Sequence, residues 1–137
     1  MGLDKSTLPD AVLKRISPED RKAASLPLPM SEIINRAAAK SDAKREKDLQ
    51  WSIVSWLRLR GFTVLWSRTD RKFTSTVGWP DITFAVKGKA VAIEAKLSGK
   101  EPTEDQRRVM AGLIQDGWAV RIVHSLDEAR FFVAALL

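Results

Sequence analysis

Two short apolar runs, Asp81–Val86 and Ala90–Leu97, are separated only by Lys87-Gly88-Lys89, and this arrangement constrains the fold more than any other feature of the chain. Runs of that length rich in Val, Ile and Phe read as β-strands, and a connection so short that contains glycine reads as a hairpin. With Lys87-Gly88 as a two-residue turn, Val86 pairs with Lys89 and Asp81 comes opposite Glu94, their Cβ atoms about 5 Å apart. A three-residue loop would shift the register by one. In the second strand Glu94 and Lys96 are two apart and share a face with Ala90 and Ala92, while Val91, Ile93, Ala95 and Leu97 line the other.

The rest of the chain builds around this hairpin. Ser41 reads as an N-cap, and Leu49, Ile53, Trp56 and Leu57 recur at helical spacing up to Gly61, a natural glycine stop. Phe62 to Trp66 is β-rich, and residues 67–79 form a polar, basic connection. Thr103–Asp116 reads as a helix ended by Gly117, Trp118–His124 as a strand, and Ser125–Leu137 as a final helix. The order α-β-β-β-α-β-α predicts an α/β fold with a mixed sheet flanked by helices. Residues 1–40 differ: Leu8-Pro9, Ser17-Pro18 and Leu26-Pro27-Leu28-Pro29 interrupt any long pattern. Ser17-Pro18-Glu19-Asp20 can start one short helix, and Ser31–Ile34 with Ala37–Ala39 another. The expected organisation is an N-terminal arm with short helical pieces, residues 1–40, before a domain of residues 41–137.

Composition narrows the chemistry. The 137 residues include no cysteine and a single histidine, His124, which excludes thiolate catalysis, Cys-ligated zinc and a two-His zinc site. Carboxylate, amine and hydroxyl groups remain, a set that suits a hard, oxygen-ligated cation. No apolar run approaches the roughly 18 residues of a membrane span. Met1–Asp10 also lacks the basic start and apolar stretch of a secretory signal. A cytoplasmic location is expected, or the host cytoplasm for a viral protein. The net charge of +6 is concentrated in residues 51–100, which carry nine Lys/Arg against three Asp/Glu. Two of those three acids are Asp81 and Glu94. A polyanion partner and a solvated basic surface fit this charge about equally.

Two facing carboxylates repel, and a divalent cation between them reverses the sign of the interaction. A structural Asp–Glu–Lys cluster softened by Lys96 is the competing reading. Gly78-Trp79-Pro80-Asp81 followed by Glu94-Ala95-Lys96 resembles the PD-(D/E)xK nuclease motif. Thr103-Glu104-Asp105-Gln106 and Gly117-Trp118-Ala119-Val120 are similar, more specifically, to the VRR-NUC (virus-type replication-repair nuclease) domain. The resemblance covers about residues 42–134. It implies a restriction-endonuclease-like fold and magnesium- or manganese-dependent phosphodiester cleavage. It also implies a preference for branched DNA such as four-way junctions, small dimeric members being typically viral or bacterial. Asp81 and Glu94 would hold the metal, with the Ala95 carbonyl as a further ligand and Glu46, on the first long helix, as an accessory residue. Lys96 would orient the attacking water and stabilise charge developing on the phosphate.

Gln106 has two readings. Thr103-x-x-Gln106 matches a capping box, whereas the resemblance makes Gln106 a site residue near the lysine or the water. Glu46 and Gln50, at i and i+4, ordinarily read as a solvated helix face, and only the resemblance turns Glu46 towards the metal. Arg68, Arg71 and Lys72 read equally as phosphate contacts and as a solvated loop, and Trp79, in the motif turn, equally as a stacking surface for an unpaired base and as core. Trp51, Trp56, Trp66 and Trp118 are expected in the core, and His124 in a structural role. The apolar run Phe131–Leu137 exceeds what one helix face buries in so small a domain, so a homodimer is expected, the competing reading being an arm that folds back over the last helix within one monomer. The leading expectation is therefore a metal-dependent DNA endonuclease. Its alternatives are a catalytically silent nuclease-like module for DNA binding or assembly, and an interaction protein that works through its arm.

Overall fold

The computed structural model describes residues 9–23, 27–67 and 76–137. The chain divides into two units, Met1–Ala43 and Lys44–Leu137. The first contains α1 (Asp10–Arg15), α2 (Pro18–Ala23) and the opening turns of α3 (Met30–Leu59). Ser17 caps α2 as its spacing predicts, its Oγ accepting the Asp20 N–H at 3.1 Å. The start of α3 is capped from outside the helix: both carboxylate oxygens of Asp10 accept the Met30 N–H, at 2.8 and 3.0 Å. A carboxylate there satisfies an orphan donor and complements the helix dipole.

Sequence spacing starts the long helix at Ser41, but it begins eleven residues earlier. Nothing between Met30 and Ser41 breaks a helix, and the stretch includes three consecutive alanines, the strongest helix formers. The effective boundary is Pro29, and Ser41 lies in the interior. Near its other end α3 buries Ile53, Val54 and Leu57. It stops at a Gly61 with φ of 88°, where the Phe62 N–H reaches back to the Leu57 carbonyl.

The second unit is built on one four-stranded sheet in the order β1 (Leu65–Trp66), β2 (Ile82–Val86), β3 (Lys89–Ala95), β4 (Ala119–Val123). β1–β2 and β2–β3 are antiparallel, whereas β3–β4 is parallel across α4 (Glu104–Gln115). This is the mixed α/β sheet that the element order predicts. The hairpin takes the two-residue turn: Val86 pairs with Lys89 and Ile82 with Ile93. Lys87 and Gly88 both have positive φ, 49° and 79°, the signature of a type I′ turn.

That register sorts the two faces. Ile82, Phe84, Val86, Val91 and Ile93 join Ile53, Val54 and Leu57 of α3 and Ala129 and Val133 of α5 (Leu126–Leu136) in one core. The alternate residues of the same strands point the other way, and Asp81 and Glu94 belong to that second set.

Candidate active site

The turn before β2 is held against the first turn of α4. Gly78 has φ of 88°, and a Cβ there would lie 2.5 Å from the backbone carbon and oxygen of Asp105. Only glycine fits both the conformation and the gap. Pro80 is fully buried, and the turn delivers Asp81 to the edge of the hairpin. Its carbonyl accepts the Ser67 N–H at 2.8 Å.

Asp81 and Glu94 then bind each other's strands. Asp81 Oδ2 accepts the Ala95 N–H at 3.0 Å, and Glu94 Oε2 accepts the Asp81 N–H at 3.3 Å. These crossed bonds continue the ladder one step beyond Ile82–Ile93. They place the carboxylates face to face, 8% and 1% exposed respectively. Gln106 Nε2 donates to Glu94 Oε1 at 2.8 Å. Lys96 Nζ lies 3.4 Å from the same oxygen and 3.8 Å from Glu46 Oε1. The backbone of Lys96 is fixed separately: its N–H donates to the Val123 carbonyl at 3.0 Å, and its carbonyl lies 3.1 Å from His124 Nδ1.

The two readings of Gln106 are both realised by one side chain. Its oxygen accepts the Thr103 N–H at 2.9 Å and its backbone N–H donates to Thr103 Oγ1, completing the capping box. Its nitrogen remains for Glu94. The cap therefore fixes the rotamer that reaches the carboxylate. At the start of α5 the spacing of Ser125 and Glu128 is also that of a capping box, but only half of it forms: Ser125 Oγ accepts the Glu128 N–H, while Glu128 Oε2 takes the His124 N–H.

Among the described residues, burial and mutual repulsion outweigh the positive charge beside the pair. Burial, and then the neighbouring Glu94, push the Asp81 carboxyl up to about 8, against the opposing Ala95 N–H. Burial also raises Glu94, with Lys96 pulling the other way. Among the described residues, three carboxylates, counting Glu46, face the ammonium of Lys96. Asp81 Oδ1 accepts no hydrogen bond among the described residues. A buried pair of carboxyls that repel each other, in an all-oxygen donor set with one oxygen spare among the described residues, fits a hard divalent cation. Among the described residues no three His, Asp or Glu side chains form a cage by themselves. Asp81, Glu94 and the Ala95 carbonyl would hold the ion, with water completing the shell.

The remaining expected residues are less concentrated. Trp79 is half-buried and packs edge-on against Trp118, centroids 5.8 Å apart. Arg68, Arg71 and Lys72 lie outside the described residues. Trp56 and Trp66 pack against the core as expected, but Trp51 does not, being 53% exposed. At 100° per residue Trp51 points about 160° away from Ile53 around α3, a signal that residue type alone conceals. Gln50 is not a solvated face, since its Oε1 accepts the Trp66 Nε1–H at 2.9 Å. A cavity of about 480 Å³ lined by Trp56, Arg60, Asp127, Arg130, Phe131 and Ala134 includes neither carboxylate of the pair.

No family model matches the chain, and no curated protein matches its sequence. Among solved structures, a VRR_NUC domain protein superposes with a TM-score of 0.57 at 17% identity, covering 67% of this chain and 87% of its own. The likeness is one of fold: a mixed four-stranded sheet flanked by helices, with a VRR_NUC-like arrangement.

Proposed function

We propose that the protein is a metal-dependent DNA endonuclease that selects branched or otherwise irregular DNA and works as a homodimer. The observation that carries the reading is the buried Asp81–Glu94 pair, each carboxylate held by a backbone N–H of the hairpin, with Lys96 two residues on and bonded through its own N–H to Val123 of β4. A purely structural cluster has no need of two facing buried acids, which cost stability until a cation joins them. A divalent ion held there supplies polarisation of a phosphoryl oxygen and a lowered pKa for water. Gln106 keeps Glu94 in one rotamer, so the donor geometry exists before substrate arrives. Lys96, with its ammonium against Glu94 and Glu46, orients the attacking water and balances charge as it develops on the phosphate. Arg68, Arg71 and Lys72 supply phosphate contacts, and the VRR_NUC-like fold supports the broader nuclease reading.

Two equivalent sites are what paired cuts across a junction require, and two-fold symmetry supplies them. Phe131, on α5, is 85% exposed and is the candidate centre of that contact. The test is cleavage of duplex, flap and four-way-junction DNAs with magnesium, with manganese and in EDTA. Metal-dependent cutting favouring the branched substrates is expected. Binding without cutting under every metal condition would replace this reading with the silent binding module.

A further inference from the structure

The aromatic pair Trp51–Trp66 joins α3 to the edge strand β1, where Trp66 pairs with Ile82, the chain neighbour of Asp81. The rings are 5.5 Å apart at an interplanar angle of 34°. Trp66 is held by its pairing with Ile82 and by its bond to Gln50, so it forms a fixed backing. Trp51, by contrast, leaves more than half of its surface in water. Both supports of the pair lead to the carboxylates. Gln50 is one helical turn from Glu46, which contacts Lys96, and Ser67, next after Trp66, binds the Asp81 carbonyl.

We propose that Trp51, backed by Trp66, is a stacking platform for an unpaired nucleobase of the strand being cut, a few nucleotides from the scissile phosphate. The inference rests on the nuclease reading and names what makes such a site selective. A base within a duplex is already stacked and paired, so it reaches an indole only after disruption. A flap, branch or single strand presents its bases freely. An exposed indole is sequence-tolerant, since every base has a π-face. The platform therefore selects DNA structure and not sequence.

The test compares Trp51→Ala and Trp51→Phe with the unaltered protein by fluorescence anisotropy in EDTA, using a flap DNA and a fully paired duplex. The flap carries 2-aminopurine at its first unpaired positions. Trp51→Ala should weaken flap binding about ten-fold, with a far smaller loss on duplex, and should abolish the quenching of 2-aminopurine. Trp51→Phe should restore most of both, which a general loss of folding would not allow. Equal losses on flap and duplex, or an unchanged flap affinity, would overturn the platform. If the unaltered protein cuts flap DNA while Trp51→Ala binds it normally, the platform alone fails. If the unaltered protein neither binds nor cuts any of the DNAs, the nuclease reading fails with it.

Discussion

Asp81 joins the stability of the protein to its chemistry. Burial and the neighbouring Glu94 push its carboxyl from the ordinary 3.8 up to about 8 in the folded chain, so the folded state holds a proton that the unfolded state has released. Stability is then fully present below about pH 4 and is lost as pH rises towards 8, with a limiting slope of about 1.4 kcal/mol per pH unit for one such group. Glu94 is shifted in the same direction and adds to the effect. Thermal unfolding in EDTA should show a midpoint falling from pH 5 to pH 8. The fall should be shallower in Asp81→Asn, which keeps an acceptor for the Ala95 N–H without the charge. At pH 8 that variant should be more stable than the unaltered protein by on the order of 1 kcal/mol. It should also have lost cleavage while keeping its DNA affinity in EDTA. An identical pH dependence in the two proteins would show that the Asp81 charge is not what the fold tolerates.

Elements decide how much of this was legible beforehand. The hairpin register could be read because a lysine–glycine pair fits a two-residue turn and because the flanking strands alternate. Once that register holds, Asp81, Glu94 and Lys96 meet without further assumption. The start of α3 was not legible, because a serine that looks like a cap was overruled by the alanine-rich stretch around it. Nor did the sequence show that Gln106 serves both the cap and Glu94, since spacing describes the helix and not what lies across from it. The turn at Gly78 supplies a prediction at this scale. Gly78→Ala combines a positive φ with a methyl group 2.5 Å from the Asp105 backbone. It should destabilise the protein by at least about 1–3 kcal/mol. Cleavage should fall further than this loss explains, because α4 carries Gln106. Chemical denaturation measured beside cleavage rates checks both; a variant with unchanged stability and rate would show that the turn does not position the site.

For the whole molecule, the charge of residues 51–100 and the apolar surface of α5 make separate predictions. If Arg68, Arg71 and Lys72 contact phosphates, replacing all three by Gln should weaken binding to every DNA. It should also flatten log affinity against log salt by up to about 0.9 per lost contact. An unchanged slope would remove that segment from the interface. Light scattering should give twice the 15.3 kDa of one chain, and Phe131→Glu should shift it to the monomer. A monomer that still cuts both strands of a junction would rule out the dimer.

The central claim is that the Asp81–Glu94 pair is a divalent-cation site, and calorimetric titration of Mn2+ into the DNA-free protein at pH 8 tests it most directly. The account predicts saturable binding by the unaltered protein that is lost in both Asp81→Asn and Glu94→Gln, with each variant still folded. Binding of equal affinity in all three proteins would contradict it.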